Sequence, residues 1–226
     1  MGHDASTGAV PHEQARKTRL SIDTYEGMDE AFGQLRFSGV SLLTAPGLVM
    51  SPRRATEHLV ERALARLGSA PARVADVGSG SGAIAVAISL WAPNAEVWAT
   101  DRSEAAVQLT RANVARHRLD RRVHVVRGDL LESVPGLLDL VVANLPYLPE
   151  KLRLEVDYAD LRSEPVEAVF APGDGLGPYR RLLEASVHRL ADHGGLLVQF
   201  RGRVLEATCC DFNNLLSDLE ERPLAA

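Results

Sequence analysis

Arg73 to Leu90, RVADVGSGSGAIAVAISL, is the stretch whose reading decides the fold. Val74 to Val77 is apolar apart from Asp76 near its end, which predicts a short buried strand. Gly78, Gly80 and Gly82 follow at alternate positions, and the small apolar residues from Ala83 to Leu90 suit a buried helix. A strand that passes through glycines into a helix start lets a ligand lie against bare backbone and the positive end of the helix. A tight turn with no ligand is the simpler alternative, although three alternate glycines exceed what a turn needs. Gly78, Gly80 and Ala83 also satisfy the G-x-G-x-x-G/A spacing of a dinucleotide site. Asp76, two residues before the first glycine, would instead face a ligand carrying an ammonium and a sulfonium, and Gly82 tilts the same way. The stretch by itself leaves both ligands open.

Working outward, the elements alternate. Strands are expected at Glu96–Thr100, His124–Val126, Leu138–Ala143 and Leu196–Phe200. Helices are expected from about Glu104 to His117 with Ser103 as cap, from Pro178 to about Leu190, and from Val204 to Leu219. This alternation predicts an α/β fold with a doubly wound, mainly parallel sheet. Before it, Ser51-Pro52 opens a helix that stops at Gly68, and Leu35 to Met50 reads as a hairpin with a turn at Ala45-Pro46-Gly47. A short helix is expected over Ser21–Gln34, and Pro149 to Gly177 shows little regular pattern. The expected organisation is a disordered tail at 1–20, a hairpin-and-helix extension at 21–70 and the main domain at 71–226.

The 226 residues suffice for one α/β domain with about fifty to spare. At 46% apolar residues the chain is not disordered throughout, and no apolar run reaches the length of a membrane helix. No secretory signal is recognisable, and the adjacent Cys209 and Cys210 suggest no disulfide framework. These features fit a cytoplasmic protein. The net charge of −5 argues mildly against a nucleic-acid backbone as principal partner. Arg111, Arg116, Arg118, Arg121, Arg122 and Arg127 form a basic cluster, read first as a solvated surface and second as an RNA contact. The seven histidines show no metal-ligand spacing, so no metal is expected.

Two acidic residues and one short motif carry the chemistry. Asp101 ends the second strand, 21 residues after Gly80, where a carboxylate can accept both hydroxyls of a ribose. Asp129 ends the third, where an adenine contact and a solvated turn are equally good readings. Asn144-Leu145-Pro146-Tyr147 follows the fourth strand, on the rim where open parallel sheets bind ligands. A planar –NH₂ group is a poor nucleophile because its lone pair is delocalised. An Asn side-chain oxygen and a backbone carbonyl, each meeting one N–H, would hold such a group still and stabilise the positive charge that grows on nitrogen. Pro146 restricts the backbone and leaves the Leu145 carbonyl aimed outward, and Tyr147 offers a flat face for stacking. An Asn-capped loop without chemistry is the alternative.

These motifs resemble those of class I S-adenosylmethionine-dependent methyltransferases, and more narrowly the protein-glutamine methyltransferases that modify peptide chain release factors. That family usually has N-P-P-Y where this chain has N-L-P-Y. Pro46–Leu64 is similar to its P-R-x-x-T-E lead-in helix, and Ser163–Ser186 to its E-P-x-x-A-L-x-x-x-x-D-G segment. The resemblance implies an S-adenosyl-L-methionine site made by Asp76, Gly78, Ser79, Gly80, Gly82, Asp101, Asp129, Leu130 and Asn144. It implies a catalytic and substrate clamp made by Asn144, Leu145, Pro146 and Tyr147, with a release-factor glutamine as acceptor. N-L-P-Y is also the form found in ribosomal RNA adenine dimethyltransferases, so adenine in RNA or DNA stays open as acceptor. A non-catalytic cofactor-binding relative stays open too, because both ends are short. Gln199 and Phe200 stand where the family usually has a Glu followed shortly by Gly. The family fold closes with two further strands, and only seven residues follow Leu219, so Leu196–Phe200 is expected to be an open sheet edge. That edge, or the helix Val204–Leu219, is then the expected interface of a homodimer.

Overall fold

A computed structural model describes residues 33–154, 161, 164–208 and 211–220. The expected tail, nearly all of the expected Ser21–Gln34 helix, and both cysteines lie outside the described residues. The two of that helix's residues that are described, Gly33 and Gln34, begin a strand.

The chain opens with a hairpin, β1 (Gly33–Phe37) and β2 (Val40–Thr44), antiparallel with Phe37 opposite Val40. Its two-residue loop is Ser38-Gly39, both at positive φ (46° and 80°), the twist that suits a tight hairpin. Helix α1 (Arg54–Leu67) begins two residues later than the expected Ser51-Pro52 start. Arg53 is its N-cap, without a side-chain capping bond. It ends as expected at Gly68, whose φ of 56° and N–H bond to the Leu64 carbonyl stop the turn.

The central sheet follows: β3 (Ala72–Val77), α2 (Ala83–Trp91), β4 (Ala95–Asp101), α3 (Glu104–Arg116), β5 (Val123–Arg127) and β6 (Leu138–Ala143). Ser103 caps α3, its hydroxyl accepting from the Ala106 N–H. Between β6 and the next long helix, the described residues form only short pieces. They are β7 (Leu148–Pro149), a 3₁₀ turn at Glu150–Leu154, α4 (Val166–Val169) and β8 (Phe170–Ala171), with β7 and β8 pairing in parallel. Then come α5 (Gly177–Val187), β9 (Leu190–Phe200), β10 (Arg203–Thr208) and α6 (Phe212–Glu220). The sheet order is β10-β9-β6-β3-β4-β5, with every pair parallel except β10 on β9.

Strands buried on both faces need apolar residues throughout, which is why β3 and β6 read as nearly continuous runs. One face packs against the hairpin, α1 and α2 through Phe37, Leu42, Leu59, Ile88 and Leu140. The other packs against α5 and α6 through Val141, Leu182, Leu196, Leu215 and Leu219. The hairpin shares the first of these cores, so the extension and the sheet are one packed unit. Among the described residues no helix is long and apolar enough to cross a membrane.

The C-terminal edge corrects the sequence reading. Residues from Val204 do not begin a helix: Arg203–Thr208 forms β10, antiparallel to β9, and the helix waits until Phe212. The turn is Arg201-Gly202, again two residues at positive φ (51° and 75°) between a strand pair. That Gly was the available signal; the apolar spacing farther along drew it into a helical reading. Gly194 and Gly195 lie inside β9, which starts at Leu190, six residues before the expected strand. Leu196–Phe200 is therefore no open edge: β6 pairs with its first residues and β10 with all of it. The unpaired backbone groups that motivated a homodimer there are already satisfied.

Candidate functional site

The carboxyl ends of β3, β4, β5 and β6 converge on one cavity. Val77 to Ser81, Thr100 to Ser103, Gly128 to Leu130 and Asn144 to Pro146 line it from the sheet. Leu48 to Arg53, Thr56, Ala83, Ile84, Ala106, Pro165, Glu167, Ala168, Pro178 and Arg181 complete the wall. The sheet order reverses between β3 and β6, the place where an open parallel sheet leaves a crevice.

The glycine loop is held by backbone and by borrowed side chains. Gly78 and Ser79 donate their N–H groups to the Thr100 carbonyl at 2.8 and 2.9 Å. The Asp101 carboxylate accepts from Gly80 N–H at 2.9 Å with one oxygen and from Ser103 N–H at 2.9 Å with the other. Thr110, buried on α3, donates to the Gly80 carbonyl at 3.0 Å and lies 3.2 Å from the Ser79 hydroxyl. Asn113, one turn on and fully buried, spends its whole carboxamide here. It donates to Ser81 O (2.8 Å) and Leu43 O (3.0 Å) and accepts from Leu43 N–H (2.7 Å). None of this support from Thr110 and Asn113 was read from the sequence.

The three glycines differ in what they do. All sit at positive φ, where other residues are strained. A Cβ on Gly78 would lie 2.8 Å from Leu145 Cδ2, so this glycine lets the Asn144–Tyr147 loop close down on the backbone. A Cβ on Gly82 would meet Thr110 at 2.8 Å, and Gly82 does not line the cavity; it serves helix packing. Of the three, Gly80 has the open space, with Val49 at 3.9 Å as its sole neighbour among the described residues. A ligand can reach bare backbone there.

Asp76 is placed otherwise than the sequence suggested. It is fully buried and is not among the cavity-lining residues. One oxygen accepts from Ala85 N–H at 3.0 Å, capping α2 from a distance because the N-cap Gly82 has no side chain. The other oxygen, Oδ1, has no hydrogen-bond partner among the described residues. Burial, with the Asp101 charge adding to it against the Ala85 hydrogen bond, pushes its pKa up to about 7.

Asp129 and Leu130 both line the cavity. The Asp129 carboxylate is paired with the Arg181 guanidinium from α5. Leu130 turns at a φ of 49°, its carbonyl accepting from Thr100 Oγ1 at 2.9 Å. The six arginines of the basic cluster are absent from the cavity wall. Several bind their own protein: Arg111 to Val125 O, Arg122 to Ala95 O, and Arg127 to Arg102 O and Glu104.

The clamp loop is brought together in part. Asn144 lines the cavity and donates from Nδ2 to Thr56 Oγ1 at 3.3 Å, a contact that turns the amide nitrogen toward α1. Leu145 and Pro146 line it as well. The Leu145 carbonyl is not wholly outward, since the buried Tyr179 hydroxyl stands 3.0 Å from it. Tyr147 does not line the cavity; its ring meets Phe200 edge-on, centroids 5.1 Å apart. Across the mouth, a Glu164 carboxylate oxygen accepts from Ser51 N–H at 3.1 Å and ties the lead-in segment to the segment around Pro165. Among the described residues no cluster suited to a metal ion occurs.

Residues 51–158 match the Methyltransferase small domain family. A release factor glutamine methyltransferase of Deinococcus radiodurans is 34% identical over 99% of this chain and 77% of its own length. The one from Bordetella pertussis is 37% identical over 88% of this chain and 74% of its own. For the Escherichia coli relative the match is 34% identical and reaches 60% of its length. In fold, the chain is similar to a Thermus thermophilus 16S rRNA guanine methyltransferase solved with S-adenosylmethionine and guanosine. The TM-score is 0.53, with 17% identity over 74% of this chain and 41% of that one.

Proposed function

We propose a function from one premise: the chain belongs to the release factor glutamine methyltransferase family. It is an S-adenosylmethionine-dependent enzyme that methylates the side-chain amide nitrogen of a glutamine in a peptide chain release factor, and it works in the cytoplasm. The observation that carries this reading is that one cavity holds both halves of such a reaction. The open backbone of Gly80 and the Asp101 carboxylate lie on one side, and Asn144 to Pro146 on the other, joined where Leu145 sits against Gly78.

The residues present fit the cofactor. Gly80 offers bare backbone to the cavity at the positive start of α2. Asp101 keeps acceptor capacity for ribose hydroxyls beyond the two amides it already serves. The buried Asp76 carboxyl stands near the end of β3, just before the loop, with one oxygen that has no partner among the described residues. Gly78, Ser79, Gly80, Asp101, Asp129 and Leu130 would hold the cofactor, with Asp76 and Gly82 shaping the loop from beneath. S-adenosylmethionine, when bound, supplies an electrophilic methyl group on a sulfonium.

The chain's own work is to position. Asn144 Oδ1 accepts one N–H of the glutamine amide and the Leu145 carbonyl accepts the other, which stops rotation and favours the charge that develops on nitrogen. Pro146 keeps that carbonyl in a narrow range of orientations. The wall of Leu48 to Pro52, Pro165 and Ala168 keeps water from the reacting nitrogen. No general base is required, because the methylated nitrogen loses its proton to water afterwards. None of the six cluster arginines lines the cavity and three bind their own backbone, which favours glutamine over adenine as acceptor.

The test is transfer of a tritiated methyl group to purified release factor, to total RNA and to no acceptor. Label in the release factor, mapped to a glutamine, is the expected result. Label in RNA alone would move the acceptor to a base, and no label anywhere would end the enzymatic reading.

A further inference from the structure

We infer that Tyr179 is a positioning residue for the methyl acceptor, its buried hydroxyl setting the Leu145 carbonyl that meets one N–H of the amide. This rests on the function proposed above and adds a residue outside the cavity wall.

Tyr179 lies on α5 between Pro178 and Arg181, both of which reach the cavity, but its own side chain points into the core and is 1% exposed. The hydroxyl stands 2.6 Å from Gln199 O and 3.0 Å from Leu145 O. It thus joins the end of β9 to the loop that follows β6. A phenol has one hydrogen and here it faces two acceptors. The shorter contact takes the larger share, so the Leu145 oxygen is held by a partial bond and keeps a lone pair for a second donor. Burial pushes the phenol pKa well up, so the hydrogen stays in place throughout the working pH range.

The rest of the peptide is fixed as well. The Leu145 side chain is seated on Gly78 and the next residue is a proline. The Tyr179 ring packs edge-on against Phe200, centroids 5.7 Å apart, and Phe200 in turn packs against Tyr147. Tyr179 therefore connects to both ends of the Leu145–Tyr147 loop. A hydroxyl that merely satisfied its own hydrogen would need one carbonyl, and Gln199 already supplies the better one.

The measurement is steady-state transfer to purified release factor by the full chain, alongside cofactor affinity by calorimetry and thermal melting. Tyr179→Phe keeps the ring and removes the hydroxyl. Loss of orientation at the reacting nitrogen should lower kcat by about 10- to 100-fold, with the KM for release factor and the affinity for S-adenosylmethionine within about threefold of the parent. Tyr179→p-aminophenylalanine restores a donor of similar shape, with two hydrogens for the two carbonyls, and should bring kcat back to within about threefold. A Tyr179→Phe protein that is folded and turns over within about twofold of the parent overturns the proposal. So does a fall in kcat matched by an equal loss of cofactor affinity, because that is the mark of a general scaffold. If Tyr179→Phe does not fold, the p-amino variant decides. Retained kcat supports the role, and a loss of about tenfold or more at unchanged cofactor affinity overturns it. Asn144→Ala run in parallel separates the two readings. If it collapses turnover while Tyr179→Phe does not, only the tyrosine inference fails. If the parent protein transfers nothing to release factor, both fail.

Discussion

The glycine loop and the Asn144–Tyr147 loop end neighbouring strands and face the same cavity, yet they are held in different ways. The first is held by polar groups: the Asp101 carboxylate, the Thr110 hydroxyl and the Asn113 carboxamide each bind its backbone. The second is held mainly by packing, Leu145 on Gly78 and Tyr147 on Phe200, with one phenol beneath it. A loop that must present bare backbone to a charged ligand cannot use bulky side chains of its own, so its support comes from elsewhere. A loop that must present one amide side chain and one carbonyl can be wedged in place by apolar neighbours. Damage should therefore fall differently on the two: on cofactor affinity in the first, on turnover in the second.

The sharpest test of that division is Asn144→Ala. Losing one transition-state hydrogen bond should cost roughly 100- to 1,000-fold in kcat, while calorimetry finds cofactor affinity within a few-fold. A variant that turns over normally would break the comparison at its centre.

Two glycines of one loop provide the next test. Gly80→Val puts a β-branched side chain at a φ of 55°, pointing into the open space, and should lower cofactor affinity by about a hundredfold or more in the same titration. Gly82→Ala sits at a φ of 76° with Thr110 backbone 3.2 Å from the new methyl, and should lower the melting temperature instead. Equal losses of affinity would mean that both glycines touch the ligand.

Asp76 gives a pH signature. A carboxyl whose folded pKa of about 7 lies above its ordinary 3.8 binds a proton on folding between those values. Its contribution to stability is present at the acid end and is lost as pH rises through about 7. The melting temperature of the ligand-free protein should fall between pH 5 and 8 by on the order of 5 °C, and Asp76→Asn should flatten that slope. A parent protein with no slope over this range would show that Oδ1 finds a partner in solution.

The smallest effect belongs to Thr110→Val, which keeps the shape but removes the bond to Gly80 O. One hydrogen bond of about 1 kcal/mol corresponds to roughly a fivefold loss of cofactor affinity, with kcat at saturation unchanged. A fall in kcat there would mean that the two loops are not independently held.

What the sequence revealed follows the same division. The parallel core was legible because strands buried on both faces are written as apolar runs: β3, β4, β5 and β6 lie within two residues of their expected bounds, whereas β9 begins six residues before the expected Leu196. GSGSG and N-L-P-Y were legible because their requirements are local: positive φ, bare backbone, a rigid proline. Their supports were not. Tyr179 is 34 residues from Leu145, and Thr110 is 30 from Gly80; helix α5 and α3 sequences carry no mark of either contact. Asp76 was given a ligand-facing role, because nothing local showed that α2 begins on a glycine unable to cap itself. At the C-terminal edge, Val204 to Thr208 is short and its alternation weak, so helical spacing farther along outweighed the Gly202 turn.

The Asn113 carboxamide bears on how the chain comes to exist. Leu43 N–H and C=O find their partner 70 residues farther along, and until it is made those two groups wait for it. A ribosome adding about 5–20 residues per second needs roughly 4 to 14 s to supply those residues. For that interval Leu43 also lacks the α3 residues its side chain packs against, while Phe37 and Leu42 can already meet Leu59 of α1 and Ile88 of α2. The hairpin is thus the first of the described elements to be synthesised, and it is secured in two steps, first by α1 and α2 and then by α3.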